Sequence, residues 1–172
     1  MDVISHAIVA NRITRGVLPR RKRLLVMIGS VLPDLDLRTQ PHRGNNLLVR
    51  IFNSQHKVKS AKSDYVKAIQ LGILAHYICD YYCYAHKYNL DISHGLRHMK
   101  YEFAMQGCLI KGFQTRLSRD YNKETFMNFI FDTKAFYDTR AGSITRDLEY
   151  MLTITEQAVD ELIEYFRPFK KA

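Results

Sequence analysis

The run from about Ser60 to Tyr84 is apolar almost all round from Ile69 onward, yet it contains His76 and Asp80. A helix that is hydrophobic on every face has to lie at the centre of a fold, wrapped by other elements. Inside it, an imidazole and a carboxylate cost free energy unless they are paired or ligate a metal. Ser60 or Ser63 supplies the cap at its start. His76 and Asp80 stand four residues apart, which on a helix puts both side chains on one face, one turn from each other. The same spacing recurs at His98 and Glu102, with His86 between the two pairs. Imidazole nitrogen and carboxylate oxygen are the donors Zn²⁺ accepts where thiolates are absent, and sites with three protein ligands leave a position for water. The pattern points to a metallohydrolase.

The surroundings of that helix also read as helical. With 11 Tyr and 9 Phe against 4 Pro, and with few Asn-Gly or Asp-Gly hairpin signals, the chain suits helices joined by polar loops. The expected fold is all-α, with six or seven helices in a single domain over residues 1–172, long enough to bury a core. Val3 to Thr14 has apolar residues at helical spacing, and Arg20 to Leu32 reads as a second helix ended by Pro33. From Asp34 to Asn46 no apolar period is visible, and loops of this kind are where a scaffold places functional groups. Leu47 to Phe52 reads as a helical turn or two. Beyond the central helix, His94 to Ile110 follows caps at Asp91 and Ser93 and is closed by Gly112; Asn122 to Tyr137 and Ser143 to Phe166 complete the set.

The formal charge is +9 and the pI about 9.5. That balance favours anionic partners: phosphodiesters, nucleic acid or an acidic membrane surface. The basic run Arg20 to Arg23 is most simply a solvated face. Behind it, Leu24 to Ile28 is too short to span a bilayer, and the N-terminus lacks a secretory pattern, so a cytoplasmic chain without a transmembrane segment is expected. Cys79, Cys83 and Cys108 are odd in number and lack the two-residue gap of a thiolate zinc site, so they read as reduced core thiols.

An ordered series of residues resembles the bacterial zinc-dependent phospholipase C family, whose fold is shared with the zinc-dependent single-strand nucleases. It comprises Ser5-His6 with Ile8-Val9 and Asn11-Arg12, then Asp34 after Gly29 to Pro33, and a loop histidine at His42. Leu71-Gly72 follows, leading into His76, Asp80, His86, His98 and Glu102. The resemblance covers roughly the first hundred residues. It implies zinc ions, two or three per chain, between helices: Asp34, His42, His76 and Asp80 on one, His86, His98 and Glu102 on a second, and Asp80 bridging to a third shared with His6. In the family that third site is completed by the amine and carbonyl of an N-terminal Trp. This chain has no Trp. Met1, five residues before His6, takes that place in the expectation, since any residue's α-amine, with a pKa near 8, can coordinate. His56 competes with His42 as the loop ligand and Asp36 with Asp34; His42 is favoured because it follows Asp34 closely. His94 reads as a solvated residue at a helix start.

A second departure is Tyr81-Tyr82-Cys83-Tyr84-Ala85 before His86, where the family has Gln-Pro and an apolar residue, although Asn89 keeps the family's Asn. This bears on substrate preference more than on metal binding. The resemblance implies phosphodiester hydrolysis by a metal-activated water, with Asp34 orienting that water or accepting its proton. A phospholipid headgroup bond is the first expectation, with peripheral contact to an anionic membrane. One alternative is a zinc nuclease on single-stranded nucleic acid, using Tyr81, Tyr82 and Tyr84 for stacking; another is a catalytically silent zinc- or anion-binding protein.

Overall fold

The structure, a computed structural model, describes residues 1–35, 45–87, 95–114, 126–139 and 142–166. Among the described residues there are eight α-helices, a closing 3-10 turn and no strand: α1 (Val3–Thr14), α2 (Arg20–Leu35), α3 (Asn45–Ser60), α4 (Asp64–Tyr81), α5 (Tyr84–Lys87), α6 (Gly95–Ile110), α7 (Phe126–Asp138), α8 (Ile144–Leu162) and the turn Ile163–Phe166. The all-α expectation holds. None of these helices is long and apolar enough to cross a membrane.

The central position belongs to α4, which packs against α1, α2, α3 and α8. Its residues from Leu71 to Asp80 are buried apart from Ile73, which is partly exposed. The helix is shorter at both ends than the apolar run suggests. Ser60 ends α3, and α4 starts at Asp64, whose carboxylate suits the positive end of the helix dipole. Ser63 precedes it as N-cap, without a side-chain cap bond. At the other end α4 stops at Tyr81, and α5 begins three residues later as a separate element.

Two elements extend beyond their expected ends. Helix α2 continues past Pro33 to Leu35. A proline in the last turn forfeits one backbone bond, and the burial of Pro33 offsets that loss. Helix α3 runs far past Phe52 because its inner face is Leu47, Ile51, Ser54, Gln55 and Val58, all buried. Ser54 and Gln55 interrupt the apolar period, which hides the helix from a hydrophobicity pattern. Gln55 pairs with Glu161 on α8, its Nε2 3.1 Å from Oε1.

Helices α2 and α4 meet at two glycines. A Cβ on Gly29 would sit 2.1 Å from the Ile69 carbonyl oxygen, and one on Gly72 2.1 Å from that of Val26. Only hydrogen fits at either position, so the backbones approach to contact. This crossing brings the C-terminal end of α2, with Asp34, against the C-terminal half of α4, with His76 and Asp80. Helix α6 ends in a Schellman motif: Gly112 has φ +78°, its N–H bonds the Leu109 carbonyl at 3.1 Å, and the Phe113 N–H bonds that of Cys108 at 3.2 Å. Arg12 of α1 donates to the Phe113 carbonyl just beyond it.

The tyrosines after Asp80 are packed. Tyr82 is fully buried, edge-on to Tyr137 at 5.4 Å and stacked on Tyr150 at 5.7 Å. Lys134 lies over the Tyr81 ring at 4.3 Å, and the ring of Tyr84 fills the space beside Gly142. Cys79 and Cys83 are buried free thiols, and Cys108 is a partly buried one. Burial pushes both buried thiols up to about 12, which keeps them protonated.

Candidate metal centre

Asp80 lies where four elements converge. The α-amine of Met1 is 2.8 Å from its Oδ1, the His6 Nε2 3.2 Å from the same oxygen, and the His76 Nε2 3.2 Å from Oδ2. His86 Nε2 approaches Oδ1 to 3.7 Å. The chain delivers these groups for local reasons. Asp2 caps α1 by accepting from the N–H groups of Ile4 and Ser5, which turns Met1 inward and sets His6 on the buried face one turn later. His76 and Asp80 share a face of α4 by their spacing.

Two groups of potential ligands flank this carboxylate. His6, Asp34 and His76 form one; His86, His98 and Glu102 form the other, and within each the donor atoms lie within 4.8 Å of one another. In the first, Asp34 Oδ2 is 3.9 Å from His6 Nε2 and Oδ1 is 3.8 Å from His76 Nε2. The two rings stack, with centroids 3.9 Å apart. In the second, Glu102 Oε1 is 2.9 Å from His98 Nε2 and 3.3 Å from His86 Nε2. The Met1 amine links the groups: besides Asp80, it lies 3.1 Å from Glu102 Oε1 and in contact with His86 Nε2.

The donors are in states suited to a cation. His76 Nδ1 is 3.0 Å from the Ser30 carbonyl, which can only accept, so Nδ1 carries a proton and Nε2 is the nitrogen turned toward the carboxylates. Ser30 carries no sequence signal for this role, because the contribution is its backbone oxygen, presented by the α2–α4 crossing. Burial, then the neighbouring His76, pulls His6 down to about 3, so its imidazole is neutral and able to ligate. Burial alone would raise Asp80, but His86, the amine and His76 outweigh it and hold the carboxyl well below its usual range. Glu102 is likewise held at about 2, against burial, by the His86 hydrogen bond and the amine. Burial works to lower the amine's pKa, yet the carboxylates of Asp80 and Glu102 keep it at about 11. Asp34 is shifted up, chiefly by burial.

Both ring nitrogens of His6, Oδ2 of Asp34 and Oδ2 of Asp80 are buried and make no hydrogen bond. Buried polar atoms in native proteins are ordinarily satisfied, and unsatisfied polar atoms converging from three elements suit the ligand set of a cation. The donor set is all nitrogen and carboxylate oxygen, as zinc accepts.

Of the sequence-expected residues, Met1, His6, Asp34, His76, Asp80, His86, His98 and Glu102 come together here. His42 lies outside the described residues, as do Asp36, Asn89, Asp91, Ser93 and His94. His56 is exposed on α3 and belongs to neither group. Sequence reasoning missed Asp147. This α8 carboxylate is buried and accepts from the Tyr84 backbone N–H at 2.7 Å, the Tyr101 hydroxyl at 2.7 Å and the Tyr137 hydroxyl at 2.8 Å. Burial pushes its carboxyl up, against the pull of those donors. No curated protein and no solved structure matches the chain. A family model does: the one described as zinc dependent phospholipase C matches residues 5–152.

Proposed function

The chain belongs to the zinc-dependent phospholipase C family, and from that premise we propose that it hydrolyses a phosphodiester at this centre, the headgroup bond of a phospholipid first of all. The observation that carries the reading is Asp80, placed between two His/carboxylate groups with the Met1 amine joining them. His6, Asp34 and His76 on one side, and His86, His98 and Glu102 on the other, are the residues that would hold two or three zinc ions, with Asp80 and the Met1 amine shared. When bound, zinc supplies Lewis-acid polarisation of phosphate oxygens and acidifies water.

The chain's own residues supply the rest. Asp34 is the carboxylate most open to solvent, at 24% against 0% for Asp80 and 13% for Glu102. It is therefore the group placed to orient an incoming water and accept its proton. The Ser30 carbonyl holds the His76 ring in one tautomer and one orientation, which keeps its Nε2 aimed inward.

The outer face of α6 favours lipid as substrate. Leu96, Met99 and Phe103 are 73%, 50% and 59% exposed on the helix that bears His98 and Glu102, with Arg97 and Lys100 exposed beside them. Apolar side chains flanked by cations suit an anionic bilayer surface. For the nuclease alternative, the three tyrosines before His86 are engaged with Lys134, Tyr137, Tyr150 and the chain at Gly142.

The test is headgroup release from phospholipid vesicles, measured against cleavage of single-stranded DNA. Vesicle hydrolysis that stops with a chelator and returns with zinc is expected. Cleavage of DNA alone, falling steeply with salt, would replace the lipid reading by the nuclease one. Bound zinc with neither activity would leave a silent binding protein.

A further inference from the structure

The part of the chain beyond Glu102 has a task in the metal centre, an inference that rests on the metal reading above. Asp147 lies in the first turn of α8, fully buried, and its two oxygens reach three elements at once. Oδ2 accepts the backbone N–H of Tyr84, the first residue of α5, two positions before His86. The same oxygen accepts the hydroxyl of Tyr101, which stands on α6 between His98 and Glu102. Oδ1 accepts the hydroxyl of Tyr137 on α7. A second observation points the same way. A Cβ on Gly142, just before α8, would lie 2.2 Å from the ring of Tyr84, so glycine there leaves the space that the ring occupies.

Helix α5 has four residues, too few to hold a conformation by its own backbone bonds. The position of His86 must therefore be imposed from outside. A buried carboxylate left without donors is costly, so Asp147 retains its partners and, with them, the start of α5 and the middle of α6. We propose that Asp147 is the positioning residue of the His86–His98–Glu102 group: by binding Tyr84 and Tyr101 through one oxygen, it sets the distance between the helix carrying His86 and the helix carrying the other two ligands.

The test is a zinc titration against a competing chelator on the full chain, with the thermal midpoint followed by circular dichroism. Tyr101→Phe removes one hydroxyl and keeps the ring, so it folds even where Asp147→Asn does not. It is expected to weaken one zinc about tenfold or more, the usual effect of losing a residue that orients a ligand, and to leave the other zinc binding unchanged. Tyr137→Phe removes the same kind of bond to Asp147 from an element with no ligand. It is expected to lower the thermal midpoint while zinc affinity stays within about threefold of wild type, a margin of order 0.6 kcal/mol. Wild-type zinc affinity in Tyr101→Phe overturns the inference, and so does an equal loss in Tyr137→Phe. A wild-type chain that binds no zinc overturns the metal reading and this inference with it.

Discussion

The Met1 nitrogen is held as an ammonium between Asp80 and Glu102, and the same atom, once deprotonated, would on the proposed reading be a donor between the two ligand groups. Adding one glycine before Met1 moves the amine away and puts an amide nitrogen, which does not ligate, in its place. Zinc content by elemental analysis is expected to fall by about one ion per chain, with an affinity loss of about tenfold or more for that site. Mass spectrometry of the unextended protein must show Met1 free for the comparison to hold. Asp34 invites a different experiment. Asp34→Asn keeps the size of the side chain and removes the proton acceptor, so kcat should fall about 100-fold or more. Wild-type turnover in that variant would remove Asp34 from the chemistry.

Two helical glycines, one at the α2–α4 crossing and one on α6, carry predictions of opposite sign for the same substitution. Gly72→Ala puts a methyl 2.1 Å from the Val26 oxygen and 2.7 Å from the Ser30 nitrogen, both backbone atoms that cannot swing aside. The helices must separate, which breaks the His76 bond to the Ser30 carbonyl. A loss of about 3 kcal/mol or more in chemical denaturation is expected, with weakened zinc binding. Gly107→Ala in α6 meets nothing within 4 Å and should stabilise by about 0.5–1 kcal/mol. The same pair of helices is joined at its other end by Lys22 and Asp64. The Lys22 hydrogen bond lowers the Asp64 carboxyl below 3.8, so folding favours the ionised form. The contribution is complete above the ordinary aspartate value and is lost as pH falls through the lowered one. Because the pair is partly exposed, it is worth under about 1 kcal/mol, and the difference between wild type and Lys22→Ala should vanish in strong acid or high salt.

On the proposed reading the ligands would come from α1, α2, α4, α5 and α6, so zinc binding would join these elements and stabilise the whole molecule through linkage. A chelator should lower the thermal midpoint by about 5–10 °C, as expected for zinc present at roughly 100 times its dissociation constant in a domain of this size. Scanning calorimetry with and without the chelator measures this, and an unchanged midpoint would mean that the centre does not hold a tight ion.

Local pattern was enough for several features. The all-α fold, the central helix and the shared faces of His76 with Asp80 and His98 with Glu102 follow from periodicity and spacing, which are properties of neighbouring residues. The start of α1, with His6 within it, followed in the same way. Other features depend on contacts between residues distant in sequence. The apolar run was divided into α4 and α5 by tertiary packing, and α3 extended through Ser54 and Gln55 because polar residues on its inner face find partners such as Glu161. The Ser30 carbonyl behind His76 is a backbone atom, and every residue has one; only the approach of two glycines selects it. Asp147 and Gly142 look like an ordinary helix-start acid and an ordinary turn glycine until α5 and α6 pack against them. Residue types and their spacing along one helix are written in the chain, so the sequence alone determined which donors exist and which pairs share a face. Which helices meet, at what distance, and which atoms hold the ligands in place depend on packing, and only the tertiary structure decided them.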